Sequence, residues 1–354
     1  MNLNQTFRHL FAALTASLAL TACDNSFIFE DEGDCDPKYR VKLRYDYNMK
    51  FADAFASEVD HVTVNVVDTD GKIVYTHRES GEQLRANNYE IILDGKLAPG
   101  NYQLHAWCGS GAEPGNNSFV VHPAERLEEL RCTLLPDVHN YYGRSAAEVP
   151  GAEGDTVKRS LENLYHGLTE QLCFPDDEGT YNYTVPLTKN TNSVKVMLQN
   201  LNQTPLNHND FIFTITSGNA RMAHDNSIIE AEPVVYQAWD VRDDIIGDVA
   251  PADSINGGRL QAVVAEFTVG RLMADENVRL EAHRVSDGQL AFSVDMVNLA
   301  LLLKSANLRS MSDQEFLDRQ DEYNYIFFLD SRYTWSSCQV NILSWKMVIQ
   351  NQEI

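Results

Sequence analysis

One run of residues in this sequence has the types and the spacing for a specific chemistry: Leu20, Thr21, Ala22 and Cys23. The run follows a single basic side chain, Arg8, and a mostly apolar stretch over residues 10–20. This stretch is too short to span a bilayer core, which needs about 20 residues, so we expect a targeting segment. Small residues before a cysteine are typical of a bacterial lipobox, in which a peptidase cuts before the cysteine and the thiol takes a diacylglycerol. An ordinary signal peptide with a chance cysteine is the weaker interpretation, because residue types and position agree at once.

The sequence therefore predicts a lipoprotein signal peptide over residues 1–22. It predicts a covalent diacylglycerol and an N-acyl (palmitate) chain on Cys23, and no other cofactor. Buried acyl chains contribute about 0.8 kcal/mol per methylene, so several chains together anchor a protein stably. Residues 23–35 are rich in acids and read as a solvated tether, which resembles the acidic export signals of surface lipoproteins in the Bacteroides group. We expect a lipid-anchored protein of the outer membrane that is exposed at the cell surface.

The composition limits the classes of partner. The 354 residues include 28 Lys and Arg against 51 Asp and Glu, which gives a formal net charge of -23. A chain this acidic repels the phosphates of nucleic acids and the headgroups of anionic membranes. A hydrophobic content of 44% is enough to build a core, which excludes wholesale disorder and suits about two domains.

Residue types that serve catalysis and metal binding are scattered rather than grouped. No histidines form an HExxH motif, and Ser110 has no GxSxG elbow around it. Several histidines fall in or beside predicted strands, where an exposed or hydrogen-bonded role is expected: His61, His77, His105, His122 and His283. The acidic pairs at residues 176–178 and 243–244 read as solvated loops. The sequence predicts no catalytic residue and no metal site, and therefore a protein that is not an enzyme.

Five cysteines follow Cys23: Cys35, Cys108, Cys132, Cys173 and Cys338. An exported protein meets an oxidising compartment, so disulfides are permitted. The odd number leaves at least one thiol free or paired between molecules. A disulfide between Cys108 and Cys132 is the first candidate pairing.

Short alternating segments with turn residues between them predict an all-β protein. The predicted strands are residues 41–45, 62–66, 89–93, 102–107, 119–122, 181–187, 194–198, 211–216, 262–269 and 278–283. Gly, Pro, Ala and acidic residues interrupt the pattern over 136–155. The sequence therefore predicts two β-sandwich domains, over residues 36–155 and 156–354.

Two Asp-Gly pairs, at residues 70–71 and 287–288, predict β-hairpins because tight hairpin turns favour residues that tolerate positive φ. A tight turn at the first pair would set two pairs of residues opposite each other: Val66 with Tyr75, and Val67 with Val74.

One helix is predicted after Ser312, where a capping box pairs the Ser312 hydroxyl with the Glu315 carboxylate, each satisfying a free backbone amide. Phe316, Leu317 and Tyr323 are then expected to face inward.

The C-terminal residues are again strand-like, over 339–349. A long apolar terminal strand either closes its own sheet or pairs with the edge of another subunit, and the residues leave both open. If the strand is donated, the candidate residues are Val340, Ile342, Trp345 and Val348.

Several segments, in this order behind a lipobox, resemble one known family. They are Cys35-Asp36-Pro37, the stretch YDYNMKFADAF over 45–55, Trp107-Cys108-Gly109, Leu164-Tyr165-His166-Gly167 and LTKNTN over 187–192. The family is that of the FimB-like and minor-fimbria (Mfa-type) anchor lipoproteins, which anchor major and minor fimbriae (type V pili) of Bacteroides-like bacteria. The resemblance spans essentially the whole mature chain.

This resemblance implies two tandem transthyretin-like β-sandwich domains and a non-enzymatic role. Family members hold a fimbrial shaft on the outer membrane and help to end its elongation, so a shaft subunit is the implied partner. The C-terminal strand would fill the groove of the first shaft subunit.

A second function stays open, that of a surface lipoprotein adhesin or tip-type subunit that binds a glycan or a host protein. Aromatic side chains that could serve it are Tyr141, Tyr142 and Trp239.

We expect Cys23→Ala to move this protein from the detergent phase to the aqueous phase of a cell extract, because the acylated thiol is the predicted anchor. Detergent phase partitioning followed by blotting measures the change. Cys35→Ala, in the same tether, is the matched control and should stay in the detergent phase. An unchanged detergent-phase fraction of Cys23→Ala would contradict lipidation at this residue.

Overall fold

The computed structural model describes most of the chain between Asp36 and Gln350. The described residues are 36–110, 118–137, 155–202, 204–229, 233–248, 259–304, 308, 310–342 and 345–350. Over these residues the chain forms β-strands and a few short helices, which confirms the predicted all-β class. Most of the predicted interdomain stretch, 136–155, lies outside them.

The strands are numbered in chain order. Strands β1 to β12 are Lys38–Arg44, His61–Val67, Ile73–Ser80, Glu90–Ile92, Gly100–Gly109, Phe119–His122, Arg131–Leu134, Asp155–Val157, Leu164–Leu168, Leu172–Phe174, Thr180–Pro186 and Thr188–Lys189. Strands β13 to β23 are Thr191–Asn200, Phe211–Ser217, Arg221–Ala223, Val234–Gln237, Asp240–Asp248, Arg259–Gly270, Arg279–Arg284, Leu290–Asp295, Glu322–Leu329, Trp335–Ile342 and Trp345–Gln350. Helices α1 to α4 are Phe55–Glu58, Gly81–Ala86, Met296–Leu301 and Asp313–Arg319.

Two sheets enclose a first core. One has the order β11-β1-β4, and the other has the order β12-β9-β5-β2-β3, with β10 paired to β5. Alternation along β1 sets its inner face, since Tyr39, Val41 and Leu43 are buried beneath the more exposed Lys42 and Arg44. Burial of alternate apolar side chains from facing strands is what holds such sheets together.

Two further sheets enclose the larger core. Their orders are β17-β18-β13-β21-β22-β23 and β20-β19-β14-β16-β8. On β13, Val194, Val196 and Leu198 are buried in the core cluster, whereas Lys195 points to the outer face. A small third sheet, β15-β7-β6, lies beside them.

The hairpin between β2 and β3 departs from the prediction near its tip. Val66 lies opposite Tyr75, as predicted, but the register shifts after Val66 and sets Val67 opposite Ile73. The predicted pairing of Val67 with Val74 is therefore wrong.

The physical reason is the length of the connection. The Asp68 carboxylate accepts hydrogen bonds from the amides of Asp70, at 3.0 Å, and Lys72, at 2.9 Å. These bonds hold a longer loop in place of a two-residue turn, and Gly71 takes its one positive φ, 80°. At the second hairpin, between β19 and β20, Gly288 has a φ of 68° and the predicted pairing of the two strands is confirmed.

Residues 164–189 return to the first pair of sheets. Strand β11 pairs in parallel with β1, from Thr180 opposite Lys38 to Pro186 opposite Arg44. Strands β9 and β10 pair with β5. Gly167 allows a close approach here, because a Cβ at this position would lie 2.7 Å from Val185 Cγ1. These residues follow the predicted domain boundary between 155 and 156, yet they pair with strands that precede it. The boundary itself stays a prediction.

The capping box predicted for helix α4 is confirmed at Ser312, whereas the Glu315 carboxylate bonds to Arg319 instead of the predicted backbone amide. The Ser312 hydroxyl accepts a hydrogen bond from the Glu315 amide at 3.0 Å. The Glu315 carboxylate accepts from Arg319 Nε at 2.8 Å, one turn further along the helix. Phe316 and Leu317 are buried, and Tyr323 reaches the same core from strand β21.

Candidate functional site

The predicted lipidation site and its cleavage signal, residues 20–23, lie outside the described residues, as do Tyr141 and Tyr142. No helix in the part of the chain that the structure describes is long and apolar enough to cross a membrane. Nor do the described residues bring three or more His, Cys, Asp or Glu side chains together in a way that would hold a metal ion.

The predicted disulfide between Cys108 and Cys132 is wrong, because both residues are free thiols. Cys108 lies on β5 in the first core and Cys132 lies on β7 in the larger core. Burial raises the pKa of both thiols, and it raises that of Cys338 to about 12. These three cysteines act as small apolar core residues. The fourth described cysteine, Cys173, is exposed and also free.

The C-terminal segment forms a hairpin at one edge of the six-stranded sheet of the larger core. Strand β22 pairs antiparallel with β21, and β23 pairs antiparallel with β22. The four candidate residues for strand donation fall on this hairpin, where Val340 lies opposite Met347, Gln339 opposite Val348 and Ile342 opposite Trp345. In this structure the segment therefore closes its own sheet. Strand β23 is the last strand of that sheet among the described residues, so its outer edge has no strand partner there.

The loop after β1 joins the first sheets to helix α4. The Arg319 guanidinium stacks over the rings of Tyr47, at 4.1 Å from the centroid, and Phe51, at 4.8 Å. The Met49 amide donates a hydrogen bond to the Arg319 carbonyl at 3.0 Å. Cation–π contacts of this kind each contribute about 0.5–2 kcal/mol.

A nearly buried ion pair lies next to this contact. Arg271 Nε and Nη2 donate to the two carboxylate oxygens of Asp318, both at 2.7 Å. Arg271 Nη1 also donates to the carbonyl of Asn226. The planar guanidinium satisfies both carboxylate oxygens at once, so the pair fixes the loop that follows β18 against helix α4.

A second polar cluster links the two cores. Lys189 Nζ lies 2.9 Å from Glu58 Oε2 and 3.4 Å from Asp321 Oδ2. The Tyr165 hydroxyl donates to Glu58 Oε2 at 2.6 Å. Burial alone would raise the pKa of Glu58, but the hydrogen bonds from Tyr165 and Lys189 hold that pKa below its usual value.

Two histidines and a tryptophan pack together on the sheet of β5 and β9. The ring centroids of His166 and Trp107 are 4.7 Å apart, and those of His166 and His105 are 5.2 Å apart. His105 Nδ1 lies 3.3 Å from the Asn65 amide nitrogen, so the predicted hydrogen-bonded role of His105 is confirmed. His166 Nε2 donates to the carbonyl of His224 at 2.7 Å. Burial lowers the pKa of His105 and lowers that of His166 to about 4, so both rings are neutral at pH 7.

These contacts hold neighbouring strands and loops together. The sequence did not predict the role of His166, although the residue lies in a segment that carried the resemblance. The available signal was the run Leu164-Tyr165-His166-Gly167, which lacks the apolar–polar alternation of a strand with one exposed face. In the structure all four residues are buried.

Residues 31–351 match the model of one protein family, described as fimbrillin-A associated anchor proteins Mfa1 and Mfa2. The chain belongs to the Mfa2 family of fimbrial anchor proteins. This confirms the family predicted from the sequence, and it makes the protein a fimbria-associated protein of the cell surface.

Solved structures agree with the Mfa2 family fold. A crystal structure from Bacteroides thetaiotaomicron, described as a candidate adhesin, is 29% identical, has a TM-score of 0.75 and covers 90% of this chain and 100% of its own. A second one from the same species, described as a candidate polysaccharide-binding protein, is 26% identical with a TM-score of 0.68, covering 90% and 99%. The fimbrial anchor protein Mfa2 from Porphyromonas gingivalis is 16% identical with a TM-score of 0.60, covers 90% and 100%, and shares the fold. No curated protein matches the chain by sequence.

We expect this Mfa2-family chain to lose stability as the pH falls from about 6.5 towards 4. The His166 pKa in the folded state, about 4, lies below the value of ~6.5 for an unfolded chain, so protons bind the unfolded state more tightly. The stabilisation is therefore complete above pH ~6.5, and its loss on acidification is on the order of 3 kcal/mol.

Urea denaturation at pH 7 and pH 4.5 measures this loss. His166→Gln keeps a donor for the His224 carbonyl but does not titrate, so the variant should lose less stability between the two pH values. His122→Gln, at an exposed histidine, is the control and should behave like the original chain. Equal losses for His166→Gln and the original chain would show that His166 is not the titrating group.

Proposed function

We propose that this protein is an outer-membrane lipoprotein that anchors a fimbrial shaft at the cell surface and helps to end its elongation. The match to the anchor-protein family over residues 31–351 is the observation that carries the proposal. The lipobox supports the lipid anchor, with Cys23 as the acylated residue and the acidic residues up to 35 as the tether. We assign the protein no catalytic activity.

The proposed partner is a shaft subunit, which contacts this protein at the C-terminal hairpin of β22 and β23. An exposed sheet edge presents a row of backbone amide and carbonyl groups that an extended chain can pair with. Strand β23 is such an edge within the described residues. If a strand of the shaft subunit adds to the outer edge of β23, the hairpin stays in its own sheet. Donation of β23 to the shaft subunit would first require β23 to separate from β22 and lose its six paired positions. Addition of a shaft strand to the edge is the less costly of the two modes.

The same contact accounts for an effect on length. A shaft subunit whose terminal strand or groove is occupied by the anchor presents one site fewer for addition of another subunit. Occupation at the cell surface therefore fixes one end of the polymer, and the ratio of anchor to shaft subunit sets the average length.

We expect deletion of residues 345–354 to leave a folded, membrane-bound protein that no longer retains fimbriae, because the strand proposed to contact the shaft subunit is removed. Deletion of residues 351–354 alone is the matched control, because it leaves β23 in place. Immunoblots for high-molecular-weight fimbrial polymer on cells and in the medium measure retention, and thermal unfolding of the purified proteins reports the fold.

Polymer retained at the level of the original chain by the folded 345–354 deletion would contradict the role of β23. If the deletion unfolds the protein, a photo-reactive amino acid at Lys346 of the full chain replaces it. Crosslinks from that position to a shaft subunit are then expected, and their absence would contradict the proposal in the same way.

A further inference from the structure

The outer face of the six-stranded sheet carries a polar row that the anchor role does not use. Strands β18, β13 and β21 are neighbours, and their register sets Glu266 opposite Lys195 and Lys195 opposite Asn324. The adjacent row sets Ser193 opposite both Thr268 and Glu322. Side chains directly opposite one another on neighbouring strands lie close together, so the two rows form one continuous polar floor.

An indole ring forms a wall beside this polar floor. Trp239 precedes strand β17, and its amide donates a hydrogen bond to the carbonyl of Glu266 at 3.0 Å. The side chain is 38% exposed, although large aromatic residues are usually well buried. Together with Ser160 and the floor it lines a cavity of about 280 Å³.

Many of the polar groups here have no partner within the described chain. The charged side chains are engaged, because Glu266 accepts from Arg242 Nη2 at 2.9 Å and lies 3.4 Å from Lys195 Nζ. The hydroxyl, amide, carboxylate and indole groups around them make no hydrogen bond to other described residues: Ser193, Thr268, Asn324, Glu322 and Trp239. Donors and acceptors therefore converge on an open cavity beside an exposed aromatic face.

A second cavity, of about 270 Å³, adjoins the first and shares Glu322 and Asn324 with it. Its wall holds two buried polar atoms without a hydrogen-bond partner, the Tyr45 hydroxyl and Gln320 Oε1. Buried polar atoms are nearly always satisfied in folded proteins, so these two indicate a place where a ligand or ordered water belongs. The two adjoining cavities are here together named the Trp239 groove.

The chemistry of the Trp239 groove fits a sugar. A pyranose ring presents an apolar face of C–H groups, which stacks on an indole, and a rim of hydroxyls, each of which can donate and accept a hydrogen bond. Asn, Ser, Thr and carboxylate side chains supply the matching acceptors and donors. Two adjoining cavities of this size leave room for more than one sugar unit.

The charge of the groove restricts the class of sugar. Its two cavities are lined by more acidic than basic side chains: Asp53, Glu58, Glu266, Asp321 and Glu322 against Lys50 and Lys195. This surplus repels uronate, sialate and sulfate groups. We propose that the Trp239 groove binds a neutral oligosaccharide, with one sugar ring stacked on Trp239 and its hydroxyls bonded to Asn324 and the neighbouring hydroxyl side chains.

The test begins with the purified full-length protein on an array of neutral oligosaccharides (hexamers of glucose, mannose, galactose, xylose and N-acetylglucosamine) and anionic ones (hyaluronan and galacturonate hexamers). We expect binding to a neutral hexamer. Calorimetric titration with that hexamer then compares the original chain with Trp239→Ala and Asn324→Ala, and each variant is expected to bind about tenfold more weakly or worse. Tyr333→Ala is the control, because Tyr333 is a similarly exposed aromatic residue, 41% accessible, outside the groove.

Three results would overturn the proposal: binding to none of the neutral hexamers, binding to the anionic hexamers alone, or unchanged affinity in folded Trp239→Ala and Asn324→Ala. Thermal unfolding of each variant shows that it is folded, and Trp239→Phe, which keeps an aromatic face, should recover part of the lost affinity. Because the groove and the outer edge of β23 are separate surfaces, Trp239→Ala should still retain fimbriae, so this test and that of the anchor role can fail independently.

Discussion

The parallel pairing of β1 with β11 sets opposite each other residues that are far apart in the chain, Lys38 and Thr180. Parallel strands need a long crossover, and here the crossover from β1 to β11 includes all the strands from β2 to β10. The return of β11 completes the sheet β11-β1-β4 of the first core, and the chain then passes through the short strand β12 into β13, which lies within the six-stranded sheet of the larger core. That path also places Lys189 beside the helix α1 carboxylate of Glu58, one of the contacts that link the two cores.

The contacts at this junction are of different kinds and support one another. The Arg271–Asp318 pair is nearly buried and satisfied on both carboxylate oxygens, the Arg319 stack adds aromatic contact, and Lys189 bridges two acids. Removal of one partner of such a buried pair leaves an uncompensated charge, which costs several kcal/mol. A protein proposed to hold a fimbria against pulling forces benefits from a junction of this type, because contacts of different kinds connect the first core to the core that carries β23.

Alternation of apolar residues was enough to predict the class and the positions of ten strands, namely β1, β2, β4, β5, β6, β11, β13, β14, β18 and β19, since each of these strands buries one face. Local chemistry likewise predicted the Ser312 cap and the β19–β20 hairpin. Long-range pairing was not predictable, because the pattern of β11 is compatible with many partners and only the packing of the whole sheet selects β1. The same limit explains the wrong disulfide, since burial of Cys108 and Cys132 in different cores is set by contacts far away in sequence. The Trp239 groove is likewise assembled from strands and loops that are far apart in the sequence, so only Trp239 itself could be named as a candidate from the sequence.

The interlocked junction is the central claim, and differential scanning calorimetry of the purified full-length protein tests it most directly. If the two cores depend on each other as the Lys189 bridge and the Arg319 stack indicate, they unfold together in one transition, with calorimetric and van't Hoff enthalpies that agree. Two resolved transitions, each with the enthalpy of about half the chain, would show that the cores are independent and would contradict this account.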